Sequence, residues 1–173
     1  NRPAQKLSVT SSFRFASQAT DCFKQPMNSL SEVRGFLIDL DGVLYVDDTA
    51  LHGAGEAGNT LKGSGMPCRF LTNTSTLSRG HISQKLTHMG FDITEPEIFS
   101  APQAVLSCLE QKPNAVCKLY ISEDLQPDFA HVRQTKGLPT HVVVGDIGPK
   151  WDYALLNQIL ADLLNGAELV AIH

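Results

Sequence analysis

The chain has 173 residues, with 14 Lys plus Arg against 18 Asp plus Glu (net −4), and it is 42% hydrophobic and 7% aromatic. That is enough apolar material for a real core, but no apolar run reaches the roughly 18–20 residues that span a bilayer, and no basic stripe recommends nucleic acid. Cys22, Cys68, Cys108 and Cys117 lack metal-ligand spacing in a chain that is not cysteine-dense, so a reduced, cytoplasmic protein is expected.

In chain order, residues 1–26 hold four bases (Arg2, Lys6, Arg14, Lys24) and one acid (Asp21), leaving the excess of acids to residues 27–173. Rich in Ser, Thr and Gln and without hydrophobic periodicity, this stretch predicts a disordered basic extension; its makeup also suits an organellar transit peptide, and Met27 is a natural start. Val33 to Leu40 is an apolar run of strand length, expected to be a central strand buried on both faces. Ala54–Leu61 reads as a short helix closed by Gly63-Ser64-Gly65, Arg69–Thr72 as a strand, and Ser78–Met89 as a helix stopped by Gly90. A helix at Pro102–Gln111 and strands at Val116–Ile121 and His141–Val144 follow. Trp151–Asn165 is the strongest helix, with Trp151, Leu155, Ile159 and Leu163 as its core stripe and Gly166 at its end, before a last strand at Leu169–Ile172. Alternating strands and helices predict an α/β fold with a largely parallel sheet.

The first strand ends in Asp39-Leu40-Asp41-Gly42. Strand alternation points two carboxylates one residue apart to the same side, where they repel unless a cation intervenes. Ligands of open α/β sheets gather at the carboxyl ends of strands. A hard cation such as Mg²⁺ takes oxygen ligands and brings phosphate with it, so one carboxylate can attack phosphorus while the other handles protons. The next strand ends in Thr72-Asn73-Thr74-Ser75, short hydroxyl and amide side chains suited to a phosphoryl oxygen, with a helix N-terminus following. The six histidines show no ligand spacing; Asp47-Asp48 reads as a solvated turn, and Glu95, Glu97, Glu123, Asp124 and Asp128 as solvated charges.

DLDGVLY from Asp39, followed by LTNTS from Leu71, resembles the first two motifs of the haloacid dehalogenase-like (HAD) hydrolase superfamily, and more closely its IIA subfamily, over about Val33 to His173. The resemblance implies a Rossmann-like parallel-sheet core with an inserted α/β cap: residues 27–95 would be the N-terminal part of the core and 96–173 cap. It implies a phosphatase for a small phosphorylated metabolite (phosphomonoester, phosphoramidate or pyrophosphate), acting through an aspartyl-phosphate. Asp39 would be the nucleophile and Asp41 the general acid/base. Both would bind Mg²⁺, Asp41 through its backbone carbonyl. Thr72 and Asn73 would hold the phosphoryl group, and Val43–Asp48 would form a flap. A homodimer through the cap is expected.

The superfamily also uses a third-motif Lys and a fourth-motif acidic pair. No lysine follows Lys150, so those motifs are expected beyond His173, in a C-terminally truncated, inactive piece. The alternative is a complete capless phosphatase in which Asp146, with Asp152 and with Lys118 or Lys136, supplies them. From another class come a receiver-like phosphate-sensing module and a non-catalytic binding protein; the D-x-D-G spacing favours the hydrolase.

Overall fold

The computed structural model describes residues 33–172. The expected basic extension and the start at Met27 lie outside the described residues, as does His173.

Three parallel strands form the first sheet, in the order β1 (Phe36–Asp39), β4 (Cys68–Thr72) and β5 (Ile98–Ser100). Register pairs Asp39 with Leu71 and Thr72 with Ser100. Phe36, Ile38 and Leu40 face a cluster shared with Phe70, Ile82, Leu86, Phe91 and Ile98, while Leu37, on the other parity, is 74% exposed. This corrects the expectation of a strand buried on both faces. Among the described residues β1 pairs only with β4, and its second face is open, as is Phe99 on β5.

Between β1 and β4 run a hairpin, β2 (Tyr45–Val46) and β3 (Thr49–Ala50), and helix α1 (Ala54–Gly63). The hairpin turns at Asp47, whose φ of 54° lies in the left-handed region that Asp tolerates better than most residues. Helix α2 (Arg79–His88) follows β4, capped by the Ser78 hydroxyl, which accepts from His81 N–H. Its end is set by Gly90 at φ 87°, after which Phe91 N–H returns to Leu86 C=O at 2.9 Å. Ile82 and Leu86 lie on its buried face, as their spacing predicts.

Ser100 ends β5 and caps α3 (Ala101–Glu110), accepting from Gln103 N–H at 3.4 Å. Val105, Leu106 and Leu109 of α3 carry the chain into a second cluster with Cys117, Leu125, Phe129 and Val143. A second parallel sheet follows, with β7 (His141–Val144) between β6 (Cys117–Tyr120) and β8 (Glu168–Ala171). Helix α4 (Tyr153–Leu164) is capped by Asp152, whose carboxylate accepts from Leu155 N–H at 2.7 Å. Ile98–Ser100 lies past residue 95 and pairs with β4 in the first sheet.

Candidate active site

The site forms where β1 and β4 end. Leu40, wholly buried, is the pivot between two exposed acids. Its N–H lies 3.0 Å from Leu71 C=O, which ties it to β4, and 2.9 Å from Asp39 Oδ1. Asp41 starts a tight turn: Leu44 N–H reaches Leu40 C=O at 2.9 Å, and Gly42 N–H reaches Tyr45 C=O at 2.8 Å. Gly42 has φ 78° with open space around it, so the backbone conformation, not crowding, calls for glycine.

Thr72, on the buried parity of β4, extends past the strand end. Its hydroxyl lies 3.3 Å from Asp41 Oδ2, to which it can donate, and 2.9 Å from Thr74 Oγ1, and it accepts from Thr74 N–H at 3.1 Å. Asp39, Asp41, Thr72 and Asn73 line one groove of about 680 Å³ with Leu71, Phe99, Ser100, Ala101 and Ala104, a size within the range of small-molecule sites. All four site residues expected from the sequence therefore meet. A smaller cavity of about 200 Å³, lined by Leu106, Leu109, His131 and Arg133 among others, lies elsewhere and holds no carboxylate pair.

Asp146 does not line that groove; it follows β7, in the second sheet, and lines another crevice with Thr76, Ser122, Glu123, Ile147 and Lys150. Lys118 is bound to both carboxylate oxygens of Asp162 at 2.9 and 2.8 Å.

Two further readings change. Asp124 accepts from Ser78 N–H at 2.7 Å and Asp128 from Arg79 N–H at 3.2 Å, while His81 pairs with Asp124. These carboxylates are not merely solvated: they occupy the N-terminal donors of α2, the helix end expected to face phosphate. Ser122 Oγ adds a bond to Thr76 C=O at 2.7 Å, fixing the 122–128 segment against the start of α2.

The sequence reading did not single out Tyr45. It is 3% exposed and is bridged to Asp41 through the backbone of the turn. Burial first, then the Asp41 charge, pushes its ionisation well above the ordinary tyrosine range, so it stays a donor. The DGVLY string contains the residue, but only the turn brings its backbone back beside Asp41. Oxygen donors of this kind suit a hard cation. Among the described residues no cluster of three or more His, Cys, Asp or Glu forms.

The likeness to known proteins covers the same region. The chain is 37% identical over 147 residues to haloacid dehalogenase-like hydrolase domain-containing protein 2 of Pongo abelii, covering 85% of this chain and 56% of that protein. It is 37% identical over 139 residues to phospholysine phosphohistidine inorganic pyrophosphate phosphatase of Danio rerio, covering 78% and 50%. The p-nitrophenyl phosphatase from Archaeoglobus fulgidus superposes with a TM-score of 0.73 at 28% identity, over 81% of this chain and 55% of that one. The chain spans about half the length of the curated relatives it matches. The family model for haloacid dehalogenase-like hydrolase matches residues 36–133, which include both strand ends that build the groove. The chain belongs to the haloacid dehalogenase-like hydrolase family.

Proposed function

We propose that the protein is a Mg²⁺-dependent phosphatase of small phosphorylated metabolites (phosphomonoesters, phosphoramidates or pyrophosphate) working through an aspartyl-phosphate. One observation carries this reading: two carboxylates, Asp39 and Asp41, stand on either side of the buried Leu40 at the mouth of one groove, with the Thr72 hydroxyl on Asp41. An Asp39 oxygen attacks phosphorus and the bond to the leaving group breaks, Asp41 supplying the proton that the leaving group takes. Asp41 then takes a proton from water, whose oxygen displaces Asp39 and frees phosphate. Thr72 and Asn73 hold the phosphoryl oxygens. Mg²⁺ held by the Asp39 carboxylate and the Asp41 carbonyl would neutralise charge on those oxygens. Phosphatase names among the relatives support the chemistry. The division into a core half carrying β1 and β4 and a cap carrying the second sheet is part of the same reading, supported by the two hydrophobic clusters. Cys68 and Cys117, buried as thiols in those clusters, support a cytoplasmic setting.

The cap would also pair two copies. Tyr153, Leu156, Leu160 and Leu164 of α4 are each more than half exposed, and the helix's one charged residue, Asp162, is turned inward to Lys118. Light scattering on the full chain reads a dimer, which Leu160→Glu dissociates; a monomeric wild type sinks this part. For the chemistry, the full-length protein releases phosphate from p-nitrophenyl phosphate only with Mg²⁺, and Asp39→Asn abolishes release. Wild-type turnover in Asp39→Asn overturns the reading.

A further inference from the structure

Residues 73–78 join β4 to α2 and form neither helix nor strand, and they begin with Asn73 in the carboxylate groove. Their first residues are held locally: Thr74 N–H donates to the Thr72 hydroxyl at 3.1 Å, and the two threonine oxygens lie 2.9 Å apart. Their far end is held from elsewhere in the chain. Ser122 Oγ donates to Thr76 C=O at 2.7 Å, and Ser78 N–H donates to Asp124 Oδ2 at 2.7 Å. Each of these partners stands 46 residues further along, just past β6 of the second sheet. That segment has its own anchorage, since Ile121, Leu125 and Phe129 are buried in the second cluster. Asp124 is fixed in turn by His81, which pairs with its other carboxylate oxygen, Oδ1.

The geometry points to Ser122 and Asp124 as positioning residues for the loop that holds the phosphoryl group, so that the end of β6 braces the end of β4; this rests on the phosphatase reading above. Both act through the loop backbone and touch no substrate. An irregular loop held only at Thr72 would leave Asn73 to be ordered each time a phosphoryl group binds, which costs conformational entropy. Braced at Thr76 and Ser78, the loop is ordered in advance and that cost falls on folding. A helix cap does not require this reach. Ser78 already caps α2 from within, its hydroxyl accepting from His81 N–H at 3.3 Å, and Asp128 accepts from Arg79 N–H, inside the helix, at 3.2 Å. The bonds from Ser122 and Asp124 instead fall before the helix, on loop backbone, and the one to the carboxylate is charge-assisted.

The simpler account is that Asp124 only stabilises the start of α2. Asp128 does that too, from one residue further into the helix, so Asp128→Ala is the comparison. In the full-length protein, positioning predicts that Asp124→Ala raises KM for p-nitrophenyl phosphate about tenfold and weakens competitive inhibition by inorganic phosphate by the same factor, with kcat little changed. Asp124→Asn keeps an oxygen acceptor for Ser78 N–H and recovers most of that loss. Ser122→Ala, which removes one hydroxyl, weakens both about threefold and carries the test if Asp124→Ala does not fold. Asp128→Ala lowers the melting temperature and leaves KM and phosphate inhibition at wild-type values. Equal effects of Asp124→Ala and Asp128→Ala on phosphate inhibition, or no effect of Asp124→Ala and Ser122→Ala on it, return Asp124 to a capping role. If wild type itself is inactive or Asp39→Asn is active, the phosphatase reading has failed instead. The brace is then still tested by amide hydrogen exchange, which speeds up across residues 73–78 in Ser122→Ala and Asp124→Ala if those bonds hold the loop and keeps its wild-type rate if they do not.

Discussion

His141 shows how one buried side chain sets a pH response. It is 7% exposed at the start of β7, with Lys112 Nζ 3.0 Å from its Nε2, Glu168 Oε2 3.4 Å away and the Thr140 hydroxyl 2.8 Å from its Nδ1. The lysine can only donate, so the ring nitrogen facing it is an acceptor and the ring is neutral. Burial first, then Lys112, holds its ionisation below the ordinary 6.5, against the opposing pull of Glu168. The unfolded chain thus binds the proton more readily than the folded one. Stability from this group is complete above pH 6.5 and is lost as pH falls from there through the lower folded value. Urea unfolding of the full chain across that window should show stability rising with pH, and His141→Gln should flatten the slope. An unchanged slope in the variant removes His141 as the cause. None of this was legible from spacing, because the six histidines carry no motif and Lys112 and Glu168 reach His141 only through the sheet.

Elements were read best where one period ran long enough to decide. The 12-residue α4 shows this, since Ile159 is buried and Trp151, Leu155 and Leu163 are partly so, along the stripe predicted for it. Its stop at Gly166, at φ 103°, is as expected, whereas the helix begins at Tyr153 and not at Trp151, because Asp152 caps it. What the period did not show is Asp162, which lies on the buried side and binds Lys118, their side chains only 7% and 13% exposed. An acid in an amphipathic helix ordinarily marks the wet face; here a strand lysine satisfies it. Asp162→Leu should therefore leave Lys118 buried and unpaired and cost about 3–5 kcal/mol, read as a lower urea midpoint. Adding Lys118→Met should recover most of that loss. If the single variant is as stable as wild type, the pair is not structural. The three-residue β5 and the two-residue strands of the hairpin were missed for the opposite reason. Ile98-Phe99-Ser100 is too short for alternation to register, and Ser100 doubles as a helix cap.

Over the whole molecule, the parallel α/β class was legible because buried strands and helical stretches alternate from Val33 onward. Which strands share a sheet was not. Strands after β1, β4 and β7 all run into turns with polar residues, and a linear string offers Asp146 to the Asp39 site as readily as it withholds it. Pairing decides: β7 lies between β6 and β8, and β1 lies beside β4. The Asp39–Asp41 pair was readable because an apolar strand ending in two acids is rare without a chemical reason, and Thr72 because the neighbouring strand ends level with it. Tyr45 and the capping acids Asp124 and Asp128 were not, since each reaches its partner only through a turn or across elements. The central claim is that Asp39 becomes covalently phosphorylated. Acid-quenching the full-length protein during turnover of an aryl phosphate with Mg²⁺, reducing with borohydride and mapping the modified peptide tests it. The account predicts an acyl phosphate on Asp39 that is absent from Asp39→Asn. Phosphate release with no acyl phosphate, or with the label on another residue, contradicts it.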